Sequence, residues 1–582
     1  MRVPQCIKLP DLGKWLVMIT ILMVLGTACG SELPTRLPTA PAILLTRPPT
    51  PMVMNEKRST EVAEVPTATQ TPKPTPVVMP DPDFYLVLAP GIPLKMEEAA
   101  KELSRMAPQL FSWTQGQVVN GSIVKLSMNE GTPLAQWTYV IAAPFATVTD
   151  DVSLEEVMAG WQTGSNGLGN LVLDQETMDT YSSIWGSPST NIQIVKSNEL
   201  VDALWKGRPS WTIIPFDQLS PELKVLRLNG SSPLARDFDS TSYPLNVVIG
   251  VTGDADGIAQ LQSNWTGPRS NRDPLKLTRV AMSGVTALGR ATAYQMEIGG
   301  ITNPGVIVAP VMQAADIAHV SHEVSFAPDC PYPNPIGDPI FCARDSYLAL
   351  IESIGTDVVE LTGNHVNDWG SHNLEHTIDL YETAGMKIFG GGRNLAQANE
   401  PALFEHNGNK VAFVGCNPVG PAFAWAAENS AGSRPCDYQA FYEQIRELRE
   451  QGYLVMTTLQ YNEYYHYQAT PQQQADFKAL VEAGATAVSG SQGHHAQGFD
   501  FYNGSFIHYG LGNLFFDQMD MLGTRQSFID TYVIYDSRLI SVELFTSLIE
   551  NYCCPRTMSE SERAQLLQTV FQAFWLKVSL FR

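Results

Sequence analysis

Histidine is missing from the first 318 residues of this chain of 582, and no cysteine falls between Cys29 and Cys330. Imidazole is the commonest metal ligand and the usual acid or base near neutral pH. Its absence argues against histidine-based or redox chemistry from Asp83 to about Ser270. Basic residues are scarce too: 37 Lys and Arg face 59 Asp and Glu, a formal net charge of -22. That balance excludes nucleic acid as a partner and argues against unaided docking on an anionic membrane or polymer. It also suits a secreted protein that must stay soluble. At this length and 44% hydrophobic content the chain should hold about two to four domains, each with its own core.

The amino terminus reads as a targeting segment. Arg2, Lys8 and Lys14 precede an apolar run from Trp15 to Leu25, too short to span a bilayer comfortably and right for a signal-peptide core. It ends in Leu25-Gly26-Thr27-Ala28-Cys29-Gly30, which resembles a bacterial lipobox, with residues 1–28 removed and Cys29 lipidated. Gly26 stands where Leu is usual, so a plain secretory signal is the rival. Residues 29–81 are rich in Pro and Thr, cannot bury enough apolar surface to fold, and read as an extended, disordered tether. Farther on, Cys330 and Cys342 flank a Pro/Gly-rich loop, as do Cys416 and Cys436, the pattern of two local disulfides outside the reducing cytoplasm. The spacings are not those of zinc clusters, and the adjacent Cys553 and Cys554 carry no assignment.

Two folded regions follow the tether. In residues 82–270, stretches 85–88, 137–141 and 191–195 predict strands while 154–161 and 198–205 predict helices, so the class is α/β. A segment around Ala143-Pro144-Phe145 is faintly similar to solute-binding domains, and ligand binding or scaffolding is the expected role. Residues 274–550 hold all ten histidines, and their strands keep ending in polar loops. Asp357-Val358-Val359-Glu360-Leu361 predicts a strand, and Ser371 to about Ala384 predicts a helix capped by Gly385. Between them lie Asn364, His365 and Asp368, at the strand end where α/β sheets collect ligands and metals. Polar residues recur at Ser321-His322-Glu323, at Gln460-Tyr461-Asn462-Glu463, from Gly490 to Gly498 and at Asn513. In residues 557–582, Ser559 and Glu562 suit a capping box on an amphipathic helix, expected to pack on the second region or a partner.

Thr362-Gly363-Asn364-His365 with Asp368 and Gly370, the Gly490 to Gly498 loop, and Tyr509-Gly510-Leu511-Gly512-Asn513 resemble the CapA family of capsule-synthesis proteins. The resemblance covers most of Leu277 to Asp517. It implies an α/β, calcineurin-like metallophosphatase sandwich of two sheets flanked by helices, beside the smaller N-terminal α/β domain. It also implies an association with poly-γ-glutamate and a dinuclear metal site at the strand ends. The departures thin that site. The family's metal-binding Asp is Val285, a histidine is replaced by Gln460, and of the Gly-His-His-Pro-His loop only His494 remains. Valine cannot ligate a metal and Gln is a weak ligand.

The surviving set implies one divalent metal or none, with Glu323, Asn364, His365 and His494 as ligands. His365, Asp368, Glu463 and His494 remain as acid/base residues. Gln460, Asn462, Gln492, His495, Gln497 and Asn513 remain as binding residues. The expected protein is extracytoplasmic and lipid-anchored, and acts in synthesis, attachment or processing of a cell-surface polymer. It does so either as a metal-dependent hydrolase of the phosphoesterase type or as a non-catalytic binding and tethering protein. The expected partners are a polyanionic polymer or its synthesis machinery, and the membrane through the anchor.

Overall fold

A computed structural model describes residues 81–575 except 117, 119 and 338–340. The targeting segment with Cys29, and all of the tether but its last residue, lie outside the described residues.

In the first region the strand Thr132–Pro144 is the spine. It pairs antiparallel with Asn246–Gly253, Ser210–Pro215 and Leu223–Leu228. Successive side chains of a strand face opposite ways, and here both faces are covered. Tyr139, Ile141 and Ala143 join a core with Trp161, Tyr181 and Trp211. Val140 and Ala142 join Leu204, Phe216, Val533 and Tyr535. The last two belong to the second region, so the back of this sheet is part of the junction between regions. The expected helix near 154 runs Leu154–Thr163 and opens with a complete capping box, Ser153 with Glu156.

The second region is built on two facing sheets. In one, Leu277–Thr286, Ile317–His322, Val358–Glu360 and Lys387–Phe389 run parallel. The antiparallel hairpin Gln526–Tyr535 and Arg538–Glu550 extends it. In the other, Asn409–Cys416, Leu454–Gln460, Ala487–Ser491 and Ser505–His508 run parallel between antiparallel edges. Alternation again decides the layers. Val280, Met282, Phe413, Met456 and Phe528 fill the space between the sheets. Ala281, Val320 and Val359 point outward onto the helix Ser371–Thr383 through Leu374 and Ile378. Val414, Val455 and Val488 point outward onto Phe441 and Phe477 of the helices Tyr438–Glu450 and Pro471–Ala483. The result is the helix-flanked two-sheet sandwich that the resemblance implies.

The final helix, Glu560–Trp575, has the expected cap: Glu562 N–H donates to Ser559 Oγ at 3.3 Å, and Ser559 N–H to Glu562 Oε2 at 2.8 Å. Its Leu566, Leu567, Val570 and Phe571 bury against the sandwich. Phe145 of the first region enters the same cluster, with ring centroids 5.2 to 6.2 Å from Phe499, Phe501, Phe506 and Phe571. Arg563 adds a bidentate pair to Asp150 at 2.8 and 2.9 Å. The sulfurs of Cys330 and Cys342 are bonded, as are those of Cys416 and Cys436. Cys553 and Cys554 are bonded to each other.

Candidate functional site

The parallel strands of both sheets end at one rim, and polar side chains stitch the sheets together there. Gln460 Nε2 donates to Asn364 Oδ1 at 3.0 Å. Ser491 Oγ lies 2.8 Å from Gln460 Oε1 and 3.0 Å from Glu360 Oε1. Thr362 donates to the same Glu360 oxygen, and the other carboxylate oxygen sits 3.2 Å from His319 Nε2. Burial opposes charge on Glu360, but His319, Thr362 and Thr458 outweigh it and lower its pKa. His322, one residue before Glu323, turns the other way. Its Nδ1 is 2.5 Å from the Tyr381 hydroxyl, and burial pushes its pKa down to about 3, so it stays neutral.

The strand Val358–Glu360 ends and the helix Ser371–Thr383 begins on either side of the key loop, with Gly385 in the left-handed region at φ 79°. Inside the loop, His365 Nδ1 is 2.7 Å from Asp368 Oδ2. The imidazole is 24% exposed while the carboxylate is 6% exposed. Asp368 also accepts the Phe341 N–H at 3.0 Å, and the Phe341 ring lies 4.4 Å from the imidazole. With Nδ1–H aimed at Asp368, Nε2 is the nitrogen left to exchange a proton. Burial alone would lower the His365 pKa. The Asp368 bond and the charges of Glu323 and Asp368 outweigh it and raise the pKa above the ordinary value.

Glu323 is the unusual member. It is buried, and among the described residues neither carboxylate oxygen has a hydrogen-bond partner. An unpaired buried carboxylate costs free energy, so it marks a site and not a packing solution. The loop packs directly on it: a Cβ at Gly363 would lie 2.4 Å from Glu323 Cβ, which explains the glycine in the Thr-Gly-Asn-His run.

Across the rim, Gln492 and His494 hold φ of 63° and 46°, a conformation non-glycine residues adopt where surrounding structure imposes it. His494 Nδ1 is 2.8 Å from Asn513 Oδ1, and Asn513 in turn donates to the carbonyls of His494 and Thr524. Gln492 is buried, and its Oε1 has no partner among the described residues.

The remaining expected residues divide. Gln497 is fully buried and braces the loop above it, donating to the carbonyls of Tyr464 and His466. His495 lies against Gly523 and Tyr467, with burial lowering its pKa. Asn462 and Glu463 are exposed. Glu463 connects to the site through Tyr465, whose hydroxyl donates to it at 2.7 Å. Burial first, then Glu463, raises the Tyr465 pKa to about 12, with Glu323 contributing. Sequence reasoning did not single out Tyr465, Glu360 or Arg290. Arg290 has φ 47° and pairs bidentately with Asp517, and its guanidinium lies 4.1 Å from the Phe341 ring centroid.

The donor set does not fit a pair of metal ions. Val285 is apolar and buried, and the amides of Gln460 and Asn364 are bonded to each other. Among the described residues no three His, Cys, Asp or Glu side chains come together as a group that could hold a metal ion. What the rim assembles is a histidine–carboxylate pair with one uncommitted nitrogen, a buried free carboxylate and a set of neutral amides.

The family model for the bacterial capsule synthesis protein PGA_cap matches residues 279–518. The capsule biosynthesis protein CapA of Bacillus anthracis is 26% identical over 276 residues, 46% of this chain and 67% of that one. The PGA biosynthesis protein CapA of Bacillus subtilis (strain 168) is 27% identical over 173 residues, 29% of this chain and 45% of that one. This chain thus spans about two thirds of the first relative and under half of the second. Haemophilus influenzae NAD nucleotidase has a TM-score of 0.31 and 11% identity, over 51% of this chain and 56% of that one. By sequence, the sandwich region of this chain is similar to the CapA capsule-synthesis proteins over residues 279–518.

Proposed function

We propose that this protein acts outside the cytoplasm, anchored through Cys29, in the synthesis, attachment or processing of a capsule-type or other cell-surface polymer. The rim acts on that polymer by proton transfer through His365. The observation that carries the reading is the His365–Asp368 pair at 2.7 Å, half-open, beside the unpaired carboxylate of Glu323. Neutral His365 takes a proton at Nε2 from an attacking hydroxyl or water. Its imidazolium then returns a proton to the leaving group, while Asp368 holds Nδ1–H. The names of the two Bacillus relatives support the polymer, and the disulfides support an oxidising compartment.

A second reading has its own support: the bonded Gln460 and Asn364 amides and the unpartnered Gln492 oxygen suit binding without turnover. The test gives purified protein a γ-linked glutamate polymer and a phosphoester, and measures product and bound metal with and without His365→Ala. Turnover that disappears in a folded H365A protein supports proton transfer. Polymer binding without turnover moves the protein to the second reading. Stoichiometric metal that disappears with His365→Ala would make the site metal-centred instead. Labelling with radioactive palmitate, absent in Cys29→Ser, tests the anchor.

A further inference from the structure

We propose that a small pocket beside this site, walled in part by residues 330–334 and by Phe341 and Cys342, is a subsite for an uncharged sugar ring. The cavity measures about 150 Å³ and is lined by Arg290, Tyr332, Phe341, Arg344, Tyr347 and Trp369 among others. It touches the candidate site directly, because Phe341 forms its wall and also packs on His365 at 4.4 Å.

Two features select the ligand. The first is charge. Arg290 meets Asp517 through Nε at 3.0 Å and Nη2 at 2.5 Å, and Arg344 Nη1 meets Glu297 at 2.8 Å. Each guanidinium therefore already has a carboxylate, and an anion entering here would compete with both in a chain of net charge -22. Both guanidiniums line the cavity, and the N–H groups of each fork not engaged by its carboxylate remain as donors, with the Tyr332 and Tyr347 hydroxyls on the same lining. That is what a ring of hydroxyls needs. The second feature is aromatic surface. Tyr332 is 58% exposed and is met edge-on by Tyr294 at 6.3 Å. Trp369 is fixed by its indole N–H on Asp329 at 3.0 Å. The negative face of such a ring attracts the weakly positive C–H face of a sugar. The Cys330–Cys342 bond ties the stretch that carries Tyr332 to the wall at Phe341, so less ordering of these two is needed when a ligand arrives.

The inference rests on reading the rim as a polymer site, and it holds for a cell-surface polymer that carries neutral sugars, in contrast to a purely γ-linked glutamate chain. Titration calorimetry on the full chain would use three probes: a β-linked N-acetylglucosamine tetramer, maltotetraose and a γ-linked glutamate tetramer. The expected result is millimolar or tighter binding of one of the neutral sugars, weakened about tenfold or more by Tyr332→Ala and by Arg344→Gln. Tyr332 is exposed, so its variant keeps the fold, which an unchanged denaturation midpoint would confirm. Absence of binding by both sugars, binding indifferent to both substitutions, or a pocket that prefers the glutamate tetramer would overturn the proposal. Sugar binding that persists in His365→Ala, with no turnover by the wild type, would leave this inference standing while the catalytic reading fell.

Discussion

The rim pair His365–Asp368 and the core pair His508–Asp530 share a chemistry and nearly a distance, 2.7 and 2.6 Å. His508 stands on one sheet and Asp530 on the other, and both side chains are 0% exposed. The second nitrogen of His508 is also engaged, 3.2 Å from the Gln497 carbonyl. Burial raises the Asp530 pKa against the opposing pull of His508. Nothing can enter there, and the pair serves as a cross-sheet rivet. At the rim the same two groups leave Nε2 uncommitted and partly open. The contrast teaches that a histidine–carboxylate pair becomes a site through access and an idle nitrogen, not through its own geometry.

The largest effect that would break this contrast lies in the core. Asp530→Ala leaves His508 buried without its partner and is expected to cost about 3–5 kcal/mol. His365→Ala should stay within about 1 kcal/mol, because it empties a partly exposed position. Denaturant midpoints check both, and equal losses would erase the distinction. Glu323 comes next. Glu323→Gln removes a buried carboxylate that has no hydrogen-bond partner among the described residues, so stability should rise by about 1–2 kcal/mol. The same change should lower the His365 pKa, which the Glu323 charge helps to hold up. An NMR titration of the imidazole reads that shift, and an unmoved pKa would show the two groups to be uncoupled.

Much of this was legible in the sequence because it is written locally. The helix Ser371–Thr383 lies within one residue of its expected bounds, and Gly385 has the left-handed backbone its position implied. The convergence of Glu323, Asn364 and Gln460 followed from repeated polar residues at strand ends. What stayed hidden depends on distant partners or on weak turn signals. Arg290 gains its role from Asp517, 227 residues away. Phe145 sits in a segment that hinted at ligand binding, yet its ring is buried among phenylalanines of the sandwich. The hairpin Gln526–Tyr535 with Arg538–Glu550 turns at Asp536 and Ser537, both at positive φ, without the Asn-Gly or Asp-Gly signature that makes such turns readable.

A pH series sharpens the comparison at smaller amplitude. The folded-state pKa of His365 is raised, so the stability this pair adds is fully present below the unfolded value of about 6.5. It is lost as pH climbs through the folded value. The stability gap between wild type and Asp368→Asn should therefore shrink as pH rises from mildly acid to mildly alkaline. A gap that widened would reverse the sign of the assigned interaction.

The smallest expected effect is the most discriminating about where the rim ends. Tyr465 donates to Glu463 at 2.7 Å, but Glu463 is exposed, and water screens such contacts. Tyr465→Phe should shift stability by no more than about 0.5 kcal/mol, well below anything done to the core pair. Glu463→Gln should lower the ionisation pH of Tyr465, because Glu463 is among the groups holding it near about 12. Difference absorbance between the two proteins at alkaline pH isolates that one phenol. If Tyr465→Phe leaves the midpoint in place but changes turnover or polymer affinity, the working rim extends outward to this exposed loop. If it lowers the midpoint by more than the stated amount, Tyr465 belongs with His508 and Asp530 among the groups that hold the sandwich together.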